Sequence, residues 1–522
     1  MTHPLRRAAV AGLVLVPLVS GAFLWDSARN RAGARLFDQV MSIVSDRFVD
    51  SLSAGGLYER AARGLVRELQ DPYAALYSPK ELADFTRATG GRYGGLGMLV
   101  EDQRGAVVVS RVYPHTPAEG GGVREGDRIV GVDGQTTHGW KLSQVTDELK
   151  GTPGTQVQVQ FERPGVASPI DLKFTRAVIH IPAVPYAILL DGKVGYIPLL
   201  QFNETAADEM QRAVKHLTSE GARGLIIDLR GNGGGIVDQA ISISDLFLRN
   251  GEEIASVRGR AGERQVYTVH GQPLVPNLPL VVLTDGYTAS ASEIVTGALQ
   301  DHDRALVVGT TSFGKGLVQS LFPLDGGWAL KLTTAKWYTP SGRSIQKDRK
   351  FVDGHLIEEP DSVESDSARR ARPAYHSDAG RIVYGGGGIT PDVVVRPDTL
   401  SSVEQRLVKA VTPKSQEFYV TLYDYAFSLK DSVRQNFRVS PAWRQAFYTR
   451  LAAAGVDVNQ ALYDSASSEV DRLLGDRIAR LAFGDSTAKR RELGDDAALS
   501  RALEIIRRGE TQQDLFATTR PR

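Results

Sequence analysis

Two residues in the segment 279–319, Ser290 and Lys315, have the types and surroundings that nucleophilic catalysis requires. A serine hydroxyl becomes a nucleophile when a nearby base accepts its proton, and a neutral lysine amine can be that base. Lys315 stands between Gly314 and Gly316 in a turn framed by apolar stretches. We therefore expect it to be partly buried, and burial lowers the pKa of an amine. The pair predicts attack by the serine with the lysine as general base.

The elements around the pair indicate how it could be positioned. The apolar run 280–283 and the Asp285-Gly286 turn predict a buried strand that ends in a loop. Ser290 then precedes Glu293 and an apolar stripe at helical spacing, which predicts a helix start. The backbone N–H groups at such a start are unpaired and can stabilise an oxyanion. Strands are predicted on both sides of the lysine turn.

Other interpretations compete with this one. Each residue alone has a plainer meaning, a helix cap for the serine and a solvated turn for the lysine. The stretch 309–315 matches most of the phosphate-loop pattern, but Gly316 replaces the hydroxyl residue and a predicted strand follows. A Ser-His-Asp triad with His302 and Asp228 lacks a G-x-S-x-G elbow around Ser290. We favour the Ser/Lys pair.

The motifs T-A-S-A-S-E-I and F-G-K-G-L-V-Q resemble those of the carboxyl-terminal processing peptidases, which are tail-specific Ser/Lys proteases. In that family the serine of A-S-A-S-E is the nucleophile and the lysine of F-G-K-G is the general base. A glutamine four residues later orients the lysine. The resemblance therefore implies Ser290, Lys315 and Gln319 as catalytic residues, with Ser290 rather than Ser292 as the nucleophile.

The same resemblance implies an oxyanion hole. The loop D-L-R-G-N-x-G-G, which begins at Asp228, supplies one backbone N–H group in the family, and the residue after the nucleophile supplies the other. These groups would belong to Gly234, with Gly235 as an alternative, and to Ala291. Gly233 stands where family members often have proline, and the extra glycine should loosen the loop before substrate binds.

Residues 93–178 resemble a PDZ domain in their glycine-rich loop and in the predicted order of strands and helix. A glycine-rich loop exposes N–H groups to a terminal carboxylate, and the strand after it can pair with an extended peptide. The resemblance thus predicts peptide binding at Gly95, Leu96, Gly97 and Met98.

The whole chain is predicted to be a multidomain α+β protein. Its regions are a helical N-terminal region at 26–92, the PDZ β-rich domain at 93–178, an α/β Ser/Lys protease core at 179–398 and a helical C-terminal extension at 399–522. The core alternates strands and helices, which predicts a mostly parallel sheet covered on both faces, and the resemblance implies a crotonase-like form. The extension is predicted to be a solvated appendage, with packing on the core, dimerisation or adaptor binding as alternatives.

Composition excludes several classes of site. The 522 residues carry 62 basic and 61 acidic side chains, and this balance gives no reason to expect a nucleic-acid partner. The absence of cysteine excludes disulfides, thiolate metal sites and a cysteine nucleophile. No cofactor or metal is expected, and the predicted partners are proteins or peptides with free C-termini. Self-association or adaptor binding through the terminal helical regions is a further expectation.

The first 25 residues predict export. Arg6 and Arg7 precede an apolar run from 8 to 25, which is typical of a secretory signal. The run is also close to the shortest membrane span, so it is either cleaved or kept as an inner-membrane anchor. The expected location is periplasmic or otherwise extracytoplasmic. The alternative to a working exported protease is a PDZ scaffold or latent zymogen with a protease-like core.

Overall fold

The structure is a computed structural model. It describes residues 32–103, 105–163, 166–260, 262, 264–347, 350–352, 355–357, 365–396 and 400–518. The predicted signal or anchor at 1–25 lies outside these residues. Among the described residues, no helix combines the length and apolar character needed to cross a bilayer. The contacts divide the chain into two compact units: the smaller holds the described residues up to Pro79 with Gln319–Thr333 and Phe351–Leu356, and the larger holds the rest.

The N-terminal region is largely helical, as predicted. Its elements are α1 (32–47), α2 (Ala54–Glu68), β1 (Ala75–Tyr77) and α3 (Pro79–Gly90). The apolar stripe of α1 lies on the surface, with Leu36 at 64% exposure and Ile43 at 59%. The helical period is therefore confirmed, but this stripe does not form a core within the described chain.

The region after α3 forms the predicted β-rich domain. Its elements are β2 (Arg92–Gly95), β3 (Met98–Gln103), β4 (Ala106–Val112), α4 (Pro117–Gly120), β5 (Arg128–Val132), β6 (Gln135–Thr136), α5 (Leu142–Leu149), β7 (Gln156–Glu162), β8 (Ile170–Thr175) and β9 (Ala177–His180). The sheet order is β3-β4-β5-β7-β8, with β6 paired to β5. Val109, Val145 and Phe161 lie at the centre of its core. Strands β2 and β9 pair with each other, so the chain enters and leaves the domain side by side.

The region predicted to be the protease core follows. Its elements are β10 (Ile188–Leu190), β11 (Val194–Pro198), α6 (Ala206–Ser219), β12 (Gly224–Asp228), α7 (Val237–Asp245), β13 (Glu253–Gly259), β14 (Arg264–Thr268), β15 (Leu280–Thr284), α8 (Ala291–Asp301), β16 (Leu306–Gly309), β17 (Leu317–Pro323), β18 (Ala329–Tyr338), β19 (Lys350–Val352), β20 (His355–Ile357), α9 (Asp366–Arg370), β21 (Ala374–His376), β22 (Ile382–Tyr384) and β23 (Val393–Val394).

One six-stranded sheet organises this core, in the order β10-β11-β12-β15-β16-β23. All its pairs are parallel except β10 with β11. Alternate residues of each strand face opposite sides: Val282 packs on the side of α6, α7 and α8, and Val281 on the other. The carboxyl ends of β12, β15 and β16 lie together at one edge of the sheet, where α/β folds place their sites.

The C-terminal region is helical, as predicted. Its helices are α10 (Ser402–Val411), α11 (Ser415–Leu429), α12 (Pro441–Ala453), α13 (Gln460–Ser465), α14 (Ser467–Phe483), α15 (Asp485–Glu492), α16 (Ala497–Arg508) and α17 (Gln512–Thr518). Helices α10 to α14 share an apolar core of their own.

The expectation of a solvated appendage is wrong. Leu499, Leu503 and Ile506 of α16 and Leu515 of α17 are buried against the second face of the six-stranded sheet. A parallel sheet needs an apolar cover on each face, and α16 and α17 supply one of them.

Candidate active site

Ser290 lies at the N-cap of α8, where the sequence predicts it. Its backbone has φ 56° and ψ −116°, a conformation that costs a non-glycine residue about 1–3 kcal/mol. Every residue of α8 is buried, whereas Ser290 is half-buried. The fold therefore holds this serine in a strained, partly accessible position at the start of a buried helix.

The Glu293 carboxylate joins the two predicted catalytic residues. Its Oε2 atom accepts the backbone N–H of Ser290 at 2.8 Å and that of Lys315 at 2.9 Å. Its Oε1 atom accepts the Gly314 N–H at 2.7 Å and the Ser312 hydroxyl. Burial raises the pKa of the Glu293 carboxyl, and the four donors act in the opposite direction. The backbones of the two predicted catalytic residues, Ser290 and Lys315, thus donate to one oxygen of the same side chain.

Glu293 is a site residue that the sequence prediction misses. The sequence does indicate Glu293 through its position three residues after Ser290, which is the spacing of a capping box. The hydrogen bond from the Ser290 N–H to the Glu293 carboxylate agrees with that pattern. The second half of its role, binding the lysine turn 22 positions further on, leaves no mark in local spacing.

Lys315 lies in the turn between β16 and β17 and is half-buried, as expected. Gly314 before it has φ 84°, and a Cβ there would come within 2.8 Å of the Lys347 side chain. The Lys315 carbonyl accepts the indole N–H of Trp337 at 3.0 Å. Packing on both sides thus fixes the turn. Because the strand β17 follows directly, the phosphate-loop alternative lacks the helix it requires.

Gln319 lies in β17, and its side-chain amide donates to the Thr333 hydroxyl at 3.3 Å. It belongs to the smaller compact unit, whereas Ser290 and Lys315 belong to the larger one. Its role in orienting Lys315 stays a prediction.

The loop after β12 lies against Ser290. A Cβ on Gly234 would come within 2.8 Å of the Ser290 Cβ and 2.9 Å of the Ala291 nitrogen. The Gly234 N–H is donated to Asn232 Oδ1 at 2.9 Å. Among the described residues, the N–H groups of Gly235 and Ala291 have no hydrogen-bond acceptor. Ala291 therefore presents a free donor beside Ser290, while the Gly234 donor is already engaged.

Asn232 fixes this loop to its surroundings. It is fully buried, and its side-chain amide donates to the Leu199 carbonyl at 2.7 Å. Its own carbonyl accepts the Ala289 N–H at 3.0 Å and the Ser292 hydroxyl at 2.9 Å. Ser292 is fully buried in this contact, which supports Ser290 as the nucleophile of the motif.

The Ser-His-Asp alternative is wrong. His302 caps the other end of α8, about 18 Å from Ser290 at 1.5 Å per helical residue. Its ring nitrogens contact the Asp378 carboxylate at 2.8 Å and the Glu253 carbonyl at 2.7 Å. The histidine therefore belongs to a different contact network, far from the serine.

The predicted peptide-binding residues join β2 to β3. Gly95 ends β2, Leu96 is buried, Gly97 has φ 84° and Met98 begins β3. Strand β3 is at the edge of its sheet, and α5 packs beside it. An edge strand next to a helix has the geometry that accepts an extended peptide.

Comparison with family models identifies both domains. The model of peptidase family S41 matches residues 193–353, and the PDZ domain model matches residues 108–163. The predicted catalytic pair and the predicted oxyanion loop lie in the first range, and most of the β-rich domain lies in the second.

Two individual relatives agree with these matches. The chain is 39% identical over 315 residues to the carboxy-terminal-processing protease of Bartonella bacilliformis, covering 59% of this chain and 72% of the relative. It is 34% identical over 291 residues to the carboxy-terminal processing protease CtpA of Bacillus subtilis, covering 56% and 62%. Among solved structures, the photosystem II D1 C-terminal processing protease is 29% identical with a TM-score of 0.38, covering 69% of this chain and 87% of that one.

Proposed function

Since the chain belongs to peptidase family S41, we propose that it is an exported serine endopeptidase that recognises protein C-terminal tails through its PDZ domain. The observation that carries the proposed chemistry is the Glu293 carboxylate, which binds the backbones of Ser290 and Lys315 through a single oxygen. This contact supports the proposed pairing, because it joins the two backbone segments that carry the Ser290 and Lys315 side chains.

Cleavage would proceed by acyl transfer. The Ser290 hydroxyl attacks the scissile carbonyl while neutral Lys315 accepts its proton, and Lys315 then returns the proton to the leaving amine. Gln319 orients the lysine side chain. The Ala291 N–H, which has no acceptor among the described residues, and an N–H of the 231–235 loop stabilise the tetrahedral oxyanion. Water then releases the acyl group from Ser290 with the same base.

A second candidate function is supported by the Gly234 contact. Because its N–H is donated to Asn232 Oδ1, one proposed oxyanion donor is already engaged. A protease at rest, which substrate or a partner activates, would have this arrangement. The latent-zymogen or scaffold function is therefore the alternative to constitutive cleavage.

Export is part of the proposal and rests on the cationic and apolar sequence at 1–25. Fractionation of cells that express the full chain, with mass analysis of its N-terminus, tests it. A cytoplasmic chain with an intact N-terminus and no membrane association would contradict export. A processed N-terminus would identify a signal, and an intact one in the membrane fraction would identify an anchor.

The first test of the function is cleavage of an unstructured protein that bears a free apolar C-terminus. We expect Ser290→Ala and Lys315→Ala to lower kcat by about 10³-fold or more, since residues that act as one catalytic unit fail together. Amidation of the tail should raise KM, because the PDZ domain loses the carboxylate. Chelation should leave cleavage unchanged.

The results separate the candidates. Activity that survives Ser290→Ala, or that a chelator abolishes, would contradict the Ser/Lys mechanism. A wild-type chain that does not cleave the substrate but still binds its free tail would favour the latent or scaffold function.

A further inference from the structure

We propose that Asp496, in the C-terminal helical region, is a positioning residue for the 231–235 loop and hence for the oxyanion hole. The inference rests on the proposed function and extends the proteolytic machinery beyond the core. Asp496 lies outside residues 193–353, where the family model matches, and no sequence pattern singles it out.

The Arg230 guanidinium connects Asp496 to the loop. Its Nε and Nη2 atoms donate to the two oxygens of Asp228 at 2.9 and 2.6 Å. Its Nη1 and Nη2 atoms donate to the two oxygens of Asp496, both at 2.8 Å. The carboxylates of Asp228 and Asp496 therefore bind two edges of the planar Arg230 guanidinium, which fixes the orientation of the group as well as its position.

Asp496 is itself rigidly held. It is the N-cap of α16, where its Oδ1 accepts the Leu499 N–H at 3.0 Å, and its Oδ2 accepts the Lys489 ammonium at 2.8 Å. Leu499 and Leu503 seat the helix on the core sheet. Burial alone would raise the pKa of Asp496, but the hydrogen bonds and charges of Arg230 and Lys489 hold it far below its usual range. Asp496 is thus an ionised carboxylate that is held in a fixed position.

Arg230 is also the residue directly before the 231–235 loop. The Gly231 N–H is donated to both oxygens of Asp285 at 3.0 and 3.1 Å, and Gly234 reaches Ser290 three residues later. The side chain of Arg230 is held by Asp496 of the C-terminal region, and the backbone of Arg230 leads directly into the 231–235 loop. A shift of the guanidinium therefore moves the entry of the loop relative to the nucleophile.

Asp496→Asn tests this role with little change in shape. Asparagine is as good a helix N-cap as aspartate, so the cap of α16 survives while the charge that holds Arg230 is lost. Glu504→Gln is the matched control, because Glu504 lies on the same helix and pairs with Arg501 and Arg508 on that helix.

The readouts are kcat and KM for a tailed substrate, affinity for a peptide boronic acid, and thermal unfolding. The boronate forms a bond with the Ser290 oxygen, and its tetrahedral anion occupies the oxyanion hole. We expect Asp496→Asn to lower kcat and boronate affinity in parallel, on the order of tenfold to a hundredfold, as misplaced catalytic groups do. KM should stay within about twofold, and Glu504→Gln should match the wild type.

The outcomes distinguish failure of this inference from failure of the function. An active wild type with Asp496→Asn unchanged in kcat and boronate affinity overturns the inference alone. A lower melting temperature with unchanged boronate affinity of the folded protein also overturns it, since the role is then purely structural. A wild type that neither cleaves nor binds the boronate overturns the proposed function and this inference with it.

Discussion

The Glu293 carboxylate binds the backbones of the two residues that we propose carry the chemistry, and its replacement by an amide is a sharp test. In Glu293→Gln, the amide nitrogen faces two of the donors that now bind oxygen, either Ser290 and Lys315 or Gly314 and Ser312. An unsatisfied buried donor costs about 1–3 kcal/mol. We expect a loss of stability of about 2–6 kcal/mol for two such donors, measured by urea unfolding, and a kcat at least tenfold lower.

Glu404→Gln provides the control, because Glu404 caps α10 through the Ser401 N–H in the same type of capping box but on the surface. It should leave kcat unchanged. If Glu293→Gln unfolds like Glu404→Gln and cleaves like the wild type, the carboxylate does not join the two catalytic residues.

His302 carries a pH dependence that is distinct from catalysis. Its two ring contacts, with the Asp378 carboxylate and the Glu253 carbonyl, are both to acceptors, so both nitrogens must carry a proton. Burial lowers the pKa of His302, but the hydrogen bonds to Asp378 and Glu253, with the charges of Asp378 and Glu252, raise it overall. The stabilisation is then complete below about pH 6.5, the unfolded pKa, and is lost as pH rises through the folded pKa.

We therefore expect His302→Gln to lower the free energy of unfolding more at pH 6 than at pH 8. Urea unfolding at the two values measures this difference. The exposed loop residue His138 gives the control His138→Gln, whose effect should not change with pH. An effect of His302→Gln that grew with rising pH would contradict the protonated state.

At the scale of the elements, α15 links the PDZ domain to the C-terminal helices. Asp485, its first residue, accepts Arg111 of β4 at 3.0 Å through both oxygens, and Tyr423 of α11 donates to Glu125 at 3.5 Å. The Arg111 and Asp485 side chains are 34% and 26% exposed, so screening limits the pair to about 0.5–1 kcal/mol. Asp485→Asn should increase hydrogen exchange in β4 by about twofold to fivefold at low salt.

The exposed loop residue Asp457 offers the control Asp457→Asn, which should leave exchange in β4 unchanged. Equal exchange in the two variants would mean that the ion pair does not hold the PDZ domain on the helices.

At the scale of the whole molecule, the PDZ domain should set tail preference. Deletion of residues 93–178, closed by a flexible linker, should equalise cleavage of substrates with free and amidated tails, since the carboxylate-binding loop is removed. If the domain also inhibits the resting enzyme, cleavage of untailed substrates should rise. A preference for the free tail that persisted after deletion would show that another surface reads the carboxylate.

The sequence predicts the parts of this molecule that local pattern encodes. The strand-to-helix start at Ser290 and the glycine-flanked turn at Lys315 both follow from neighbouring residues. The contacts of Glu293 with the lysine turn and of Asp496 with Arg230 join positions far apart in the chain. No local periodicity records such a pairing, so only the folded structure reveals it.

The same limit explains the error about the C-terminal region. The apolar stripe of α16 is visible in Leu499, Leu503 and Ile506, but a stripe predicts burial without naming the surface that covers it. The six-stranded sheet likewise predicts a cover on each face without saying which part of the chain supplies it.

The packing of α16 and α17 on the sheet has a consequence for the order in which the chain is synthesised and folded. A ribosome adds residues at about 5–20 per second, so Asp496 is made roughly 10–40 s after Ser290. During that interval the growing chain already contains Ser290 and Lys315, but the sheet lacks the cover of α16 and α17, and Arg230 lacks its second carboxylate. Helices α16 and α17 are synthesised after the catalytic segment and cover one face of its sheet, so the core is complete only after these two helices have been made and have docked.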